Sequence, residues 1–184
     1  QRYTNLGLRL DISGDTGRCG EFQPLTLTID GESPVLSSPA DPPVPGGFQS
    51  MPQSLMPRTV VGLGGGFDDL RRATDIMVGL QRLSALPIDT SVMPLADAVA
   101  DSAPAVLVSA ERWTDDTITL PVQPGADGEL TVQRAGEPGE TTTLTLDPAL
   151  RFGSLQTVYD DGRSMLVATS NDAPEQVDAL LSWL

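Results

Sequence analysis

The sequence contains no lysine and no histidine. Its 11 basic residues are all arginines, set against 25 Asp and Glu, for a net charge of −14. Without an imidazole there is no Ser-His-Asp or Cys-His machinery and no histidine metal ligand; without a lysine there is no Schiff-base amine. A chain this acidic, with no basic run, lacks the electrostatic footprint for the phosphate backbone of nucleic acid or for an anionic membrane surface. Cysteine is scarce too: Cys19 stands alone and cannot form a disulfide within these residues, and with only Arg18 beside it to favour a thiolate it reads as structural. Aromatics make up 4% of the chain, so any sugar binding through stacked rings would be weak. No stretch approaches the roughly 18 consecutive apolar residues of a transmembrane helix, and no basic segment followed by an apolar run marks a signal peptide.

Turn formers are abundant, with 18 Gly and 16 Pro, and the hydrophobic share of 39% suffices for a packed core. The 184 residues have room for one full domain and a fragment of another. The chain opens in strand-like sequence and stops inside helix-like sequence at Trp183 and Leu184, which reads as an excised fragment. Carboxylates, Arg, hydroxyls and one thiol remain for chemistry, a set that serves a glycosidase or a calcium site but few other mechanisms.

Apolar side chains alternate with polar ones at Leu6, Leu8, Leu10 and Ile12, and again from Leu25 to Asp30, so a pair of antiparallel strands is expected there. Two strands bury no core alone. Prolines 34, 39, 42, 43, 45, 52 and 57 then mark a linker expected to run extended, pinned by Phe48, Met51, Leu55 and Met56. From Arg58 the pattern changes to a strand over Thr59–Leu63, glycines 64–66, and a helix from Phe67 whose apolar face is Phe67, Leu70, Ala73, Ile76, Met77, Leu80 and Leu83. Asp68 and Asp69 in its first turn and Arg82 in its last suit the helix dipole. A strand over Ile88–Met93, a short helix over Leu95–Ala100 and a buried strand over Pro104–Val108 complete a β-α-β-α-β unit, hence an α/β fold with a parallel sheet. Strands are expected at Ile118–Val122, Leu130–Gln133 and Thr141–Leu146 as hairpins added to that sheet. Strands at Leu155–Tyr159 and Met165–Thr169 and a closing helix, capped through Asp172 and Glu175 around Pro174, end the chain.

Four stretches, in this order, carry a resemblance: Cys19 with Leu25–Asp30; the linker with Thr59–Leu63 and the helix Phe67–Leu83; Leu86–Met93 with Ala105–Val108; and Val158–Ala168 with Asp172–Glu175. Together they resemble the envelope-side accessory subunit of the bacterial cellulose synthase complex; Thr117–Asp147 departs from that family. The resemblance implies the end of a jelly-roll carbohydrate-binding domain over residues 1–33, a linker over 34–57, and over 58–184 a flavodoxin-like, three-layer α/β domain with mostly parallel strands. It also implies a non-catalytic role outside the cytoplasmic membrane, the synthase catalytic subunit or other synthase subunits as partners, and contact with the emerging glucan chain. Full-length members are anchored by a C-terminal helix absent from this sequence. No cofactor and no metal are implied, and a related exopolysaccharide system is compatible with the same segments.

Two other readings are open. Gly62–Phe67 joins a strand to a helix where a dinucleotide fingerprint would lie, which makes a small-ligand or nucleotide-binding domain the first alternative. However, Phe67 stands at the last glycine position, and Asp68 and Asp69 would oppose a pyrophosphate at the helix terminus. A plain strand-to-helix turn is the better reading. Asp68-Asp69, Asp115-Asp116 and Asp160-Asp161 are the acidic pairs available to a carboxylate glycosidase or a calcium cage, but neighbours in sequence seldom face one site, so they read as solvated turn residues. Trp113 follows the buried strand and is placed near the carboxyl rim of the sheet, the usual ligand edge, which makes it the one candidate carbohydrate contact; local packing is the competing role. Trp183, at helical spacing from Leu180, is expected in the core or at an interface.

Overall fold

The computed structural model describes residues 47–124, 129–133, 141–147, 149–160 and 162–183, with Thr28 besides. The chain divides into two units, residues 1–3 with 43–184 and residues 4–42, and all described residues but Thr28 fall in the first. The expected strands before residue 31, and with them the jelly-roll fragment, lie outside the described residues.

The run of β-branched residues after Pro57 forms β1 (Arg58–Leu63), and the change to helical spacing gives α1 (Phe67–Arg82). Then follow β2 (Asp89–Pro94), α2 (Leu95–Ala100) and β3 (Ala105–Ser109), so the β-α-β-α-β unit is present as the pattern required. β4 (Val122–Pro124), β5 (Glu129–Gln133), β6 (Thr141–Thr145), β7 (Gly153–Asp160), β8 (Arg163–Ser170) and α3 (Pro174–Leu181) complete the described chain. Five strands form one sheet in the order β2-β1-β3-β8-β7. β1 pairs parallel with β2 and β3, and β3 parallel with β8; β7 closes the edge as the antiparallel arm of a hairpin, from Gly153↔Ser170 to Asp160↔Arg163.

Every residue of β3 is buried because both faces of the sheet are covered. On one face Val61, Val106, Val108, Leu166 and Ala168 pack with Ala73 and Ile76 of α1 and with Val177 and Leu181 of α3. On the other, Val60, Leu107, Met165 and Val167 pack with Leu95 and Ala98 of α2 and with Trp113, Ile118 and Leu120. Two close approaches fix these layers. A Cβ on Gly62 would lie 2.6 Å from Ala98 Cβ, so α2 sits on β1 only over a glycine. A Cβ on Gly153 would lie 2.6 Å from the Val177 backbone nitrogen, which seats α3 against β7 in the same way.

Four expectations are corrected. The described end of the linker does not run extended: Gly47–Ser50 and Gln53–Leu55 form 3-10 turns, and Leu55 and Met56 are buried in the first core, while Phe48 is exposed. The segment 118–121 is not a strand. Its alternation arises because Ile118 and Leu120 drop into the second core without a ladder partner, and β4 begins at Val122. The hairpins β4-β5-β6 form their own antiparallel three-stranded sheet instead of extending the main one. It is joined to the main sheet through the Gln156 side chain of β7, which accepts from Val122 N–H and donates to Val122 O, both at 2.8 Å, as a neighbouring strand would. Finally, α3 has Ala173 as its N-cap with no side-chain cap; the Ala173 N–H donates to Ser170 Oγ at 2.8 Å, and Asp172 is engaged elsewhere.

Candidate functional site

The strand order reverses between β1 and β3, and ligands of open α/β sheets bind in the crevice outside the carboxyl ends of strands at such a point. A cleft of about 540 Å³ lies there, between the glycine turn that follows β1, the segment that follows β3 and the start of α3.

The turn is built around Gly64, whose N–H donates to Val108 O at 2.8 Å and where a Cβ would fall 2.6 Å from Ser109 Oγ. The chain then enters α1, and its first turn folds back on the glycines: Gly65 N–H donates to Asp69 Oδ2 at 2.8 Å. Asp69 is buried, and its other oxygen accepts from Arg72 Nη1 at 3.2 Å. Arg72, also buried, uses the rest of its guanidinium on Asp178 of α3, with Nε to Oδ1 and Nη2 to Oδ2 both at 2.9 Å. Arg71 Nη2 adds a third bond to Asp178 at 3.0 Å. The hydrogen bonds from Arg72 above all hold the Asp178 carboxyl below its usual range, against the opposing effect of burial. The same pair raises the Arg72 guanidinium.

The opposite wall is tied down by polar contacts. Ser109 Oγ donates to Arg112 O at 2.6 Å, Asp172 N–H donates to Glu111 O at 2.8 Å, and Ser170 Oγ donates to Ala110 O at 2.6 Å. Asp172 adopts the left-handed conformation with φ 59° and pairs with Arg112, Nε to Oδ1 at 3.2 Å. Both arginines of the cleft are therefore matched to carboxylates, and the Gly65 amide, the kind of donor a phosphate would seek, already holds Asp69. The Ser109 hydroxyl donates to a backbone carbonyl, so it is not set up as a nucleophile. Open to solvent at the mouth are Phe67, 79% exposed, with Asp68, Glu111 and Thr114.

The candidate contact Trp113 is 7% exposed and packs in the second core with Leu107, Ile118 and Leu120; its Nε1 has no hydrogen-bond partner among the described residues. A sugar stacks on an open ring face, which this residue does not offer, and packing is the role it has. Trp183, expected in the core or at an interface, is instead 89% exposed. The acidic pairs do not converge. Asp69 is buried beside exposed Asp68, and Asp115 Oδ1 accepts from Thr117 and Ile118 N–H in a local turn while Asp116 is exposed. Asp160 is exposed, and Asp161 lies outside the described residues. Among the described residues no group of three or more Cys, Asp or Glu is placed to hold a metal ion.

The Asp69–Arg72–Asp178 network was missed in the sequence. Asp69 and Arg72 stand at i, i+3 on α1, a readable signal, but nothing marked Asp178 as their partner. Also missed was an apolar groove of about 290 Å³ between α1 and the sheet, lined by Val61 of β1 and by Thr90 and Val92 of β2. The apolar face of α1 divides there: Ala73, Ile76 and Leu80 are buried, whereas Leu70 is 36% exposed and faces the groove. No known family model matches the chain, and no curated protein matches it in sequence.

Proposed function

We propose that this chain is a non-catalytic interaction module of an extracytoplasmic polysaccharide synthase, for cellulose or a related exopolysaccharide, and that it works by presenting surfaces to sibling subunits. The ordered segments that resemble the cellulose synthase accessory subunit are one support, and the α/β sheet that holds those after Pro57 is consistent with them. The strand order β2-β1-β3 with helices on both faces is compatible with the flavodoxin-like part of this reading, whereas the antiparallel β7 departs from it. The observation that carries the reading is the apolar flank along α1 and β2, where Val78 is 44% and Val92 56% exposed on a chain of net charge −14. Exposed apolar residues gathered in a groove mark an interaction surface more often than a solvated one.

Guidance of the glucan is the second part of the proposal. The surface suited to it is the exposed ring of Phe67 with Asp68 and Glu111 beside it, since an open aromatic face and carboxylate acceptors are what a sugar ring and its hydroxyls need.

The test is co-expression with a cellulose synthase catalytic subunit, followed by co-purification, and titration of the purified chain with soluble cello-oligosaccharides. Stable co-purification supports the module reading; recovery of the two chains in separate fractions sinks it. Saturable oligosaccharide binding that Phe67→Ala removes supports glucan contact, and heats of dilution alone at millimolar ligand remove that part.

A further inference from the structure

The two edges of the main sheet are treated differently. On β7 the Gly47–Ser50 turn packs against the strand, and Gln156 holds Val122. β2 has no neighbour beyond it among the described residues, and Asp89, Thr90 and Val92 are exposed along it. Soluble proteins usually blunt such an edge with Lys, Pro or a bulge. Here the only Pro is Pro94 at the strand's end, and the groove beside the strand is lined by Leu70, Met77, Val78, Ile88, Thr90 and Val92, among others, without one charged side chain.

We propose that the β2 edge and this groove bind an extended segment of a partner protein as an added strand, one with alternating β-branched residues and basic residues at its ends. Backbone groups along β2 would pair with the added strand, and alternate side chains would enter the groove against Val78 and Val92. Charge selects the partner. The groove is neutral, exposed Asp89 opens the strand beside it, and the chain as a whole carries a net charge of −14, a field that favours a basic partner. Of the arginines on α1, Arg72 is bound to Asp178, Arg71 is shared between Asp178 and Asp75, and Arg82 lies in the last turn. The same net charge of −14 disfavours a second copy of this chain as occupant, since two copies would bring like fields together. The inference rests on the interaction-module reading and adds the chemistry of the partner.

The probe is the synthetic peptide Lys-Arg-Thr-Val-Thr-Val-Thr-Arg-Lys, titrated into the purified chain by fluorescence anisotropy with amide hydrogen exchange read in parallel. A control peptide, N-methylated at its central residues, keeps the charge and loses the backbone donors. The expected result is saturable binding, slower exchange confined to Asp89–Met93, and affinity weakened about tenfold or more for the control peptide and for Val92→Lys. Val92 is exposed, so that variant should fold, and Thr90→Lys repeats the test from a second exposed position. Equal binding of the control peptide, equal binding by both variants, or protection elsewhere overturns the proposal. So does a concentration-dependent dimer that Val92→Lys abolishes, which would give the edge to a second copy. Co-purification with the synthase catalytic subunit that survives Val92→Lys, with no peptide binding, removes this inference and leaves the module reading standing. Peptide binding without any co-purification does the reverse.

Discussion

Arg72 on α1 and Asp178 on α3 lie 106 positions apart and meet through two parallel hydrogen bonds of 2.9 Å. The fork geometry matches a planar guanidinium to a carboxylate, the arrangement in which an arginine is not replaceable by a lysine. Because the same guanidinium also neutralises Asp69, which in turn holds the Gly65 amide, this contact connects the rim of the cleft to the packing of α3.

Removing either partner should therefore cost unequal amounts. Arg72→Ala leaves Asp69 buried with the Gly65 amide as its remaining partner in the network, and should cost about 3 kcal/mol in urea unfolding. Asp178→Asn should cost about 1 kcal/mol at neutral pH, since Asp178 is 35% exposed and solvent screens the pair. The Asp178 carboxyl is lowered in the folded state, so its contribution is full above the unfolded value of 3.8 and is lost as pH falls from there toward the native value. Unfolding free energy measured from neutral to strongly acid pH should drop less steeply below that value in Asp178→Asn than in the parent chain. Parallel acid limbs would mean the pair adds nothing.

Gly62→Ala and Gly153→Ala test the two close approaches. The new methyl at position 62 meets the end of the Leu107 side chain, which can turn aside, and Ala98 Cβ, which moves only with α2, and should cost about 2 kcal/mol. At position 153 it meets backbone of Val177 and Gln176, so α3 must lift, and about 3 kcal/mol is expected. Ala98→Gly should restore part of the loss for Gly62→Ala. If the two glycine variants melt alike, α3 is not seated as described.

Trp113→Ala should act on stability, at about 3–5 kcal/mol, because a buried indole leaves a large cavity. Thermal or denaturant melts of the variant settle this. In a Trp183→Phe background, Trp113 emission should be blue-shifted and poorly quenched by acrylamide; red-shifted, readily quenched emission would contradict its burial.

The cleft should retain no flavin or nucleotide, since Asp69 occupies the Gly65 amide and the arginines are paired. Purified protein should lack flavin absorbance and give no thermal shift with millimolar FMN or AMP beyond that of sodium chloride at equal ionic strength. A saturable shift with either would show that a ligand displaces the carboxylate.

Much of the fold was legible because it rests on local rules. Period-2 and helical spacing placed β1, α1, β2, α2 and β3 to within a residue or two, and the glycines marked where β1 turns into α1. The same rules misread Ile118–Leu120, because alternation reports which side chains are buried and not whether a ladder partner exists. They also put Phe67 and Leu83 on the apolar face of the helix, although these are 79% and 68% exposed at its two ends.

The sequence by itself determined the chemistry available: an acidic chain with arginine as its one cation, no imidazole, and an apolar pattern sufficient for an α/β sheet. It also marked the turn from β1 into α1 with glycines 64–66. Only the tertiary structure decided which charges meet, since Asp178 reaches Arg72 through the crossing of α3 against α1 and nothing local announces it. It likewise decided that Trp113 is covered, that β4–β6 stand as a separate sheet, and that β2 is the edge among the described strands, because strand order and layer contacts join residues far apart in the chain.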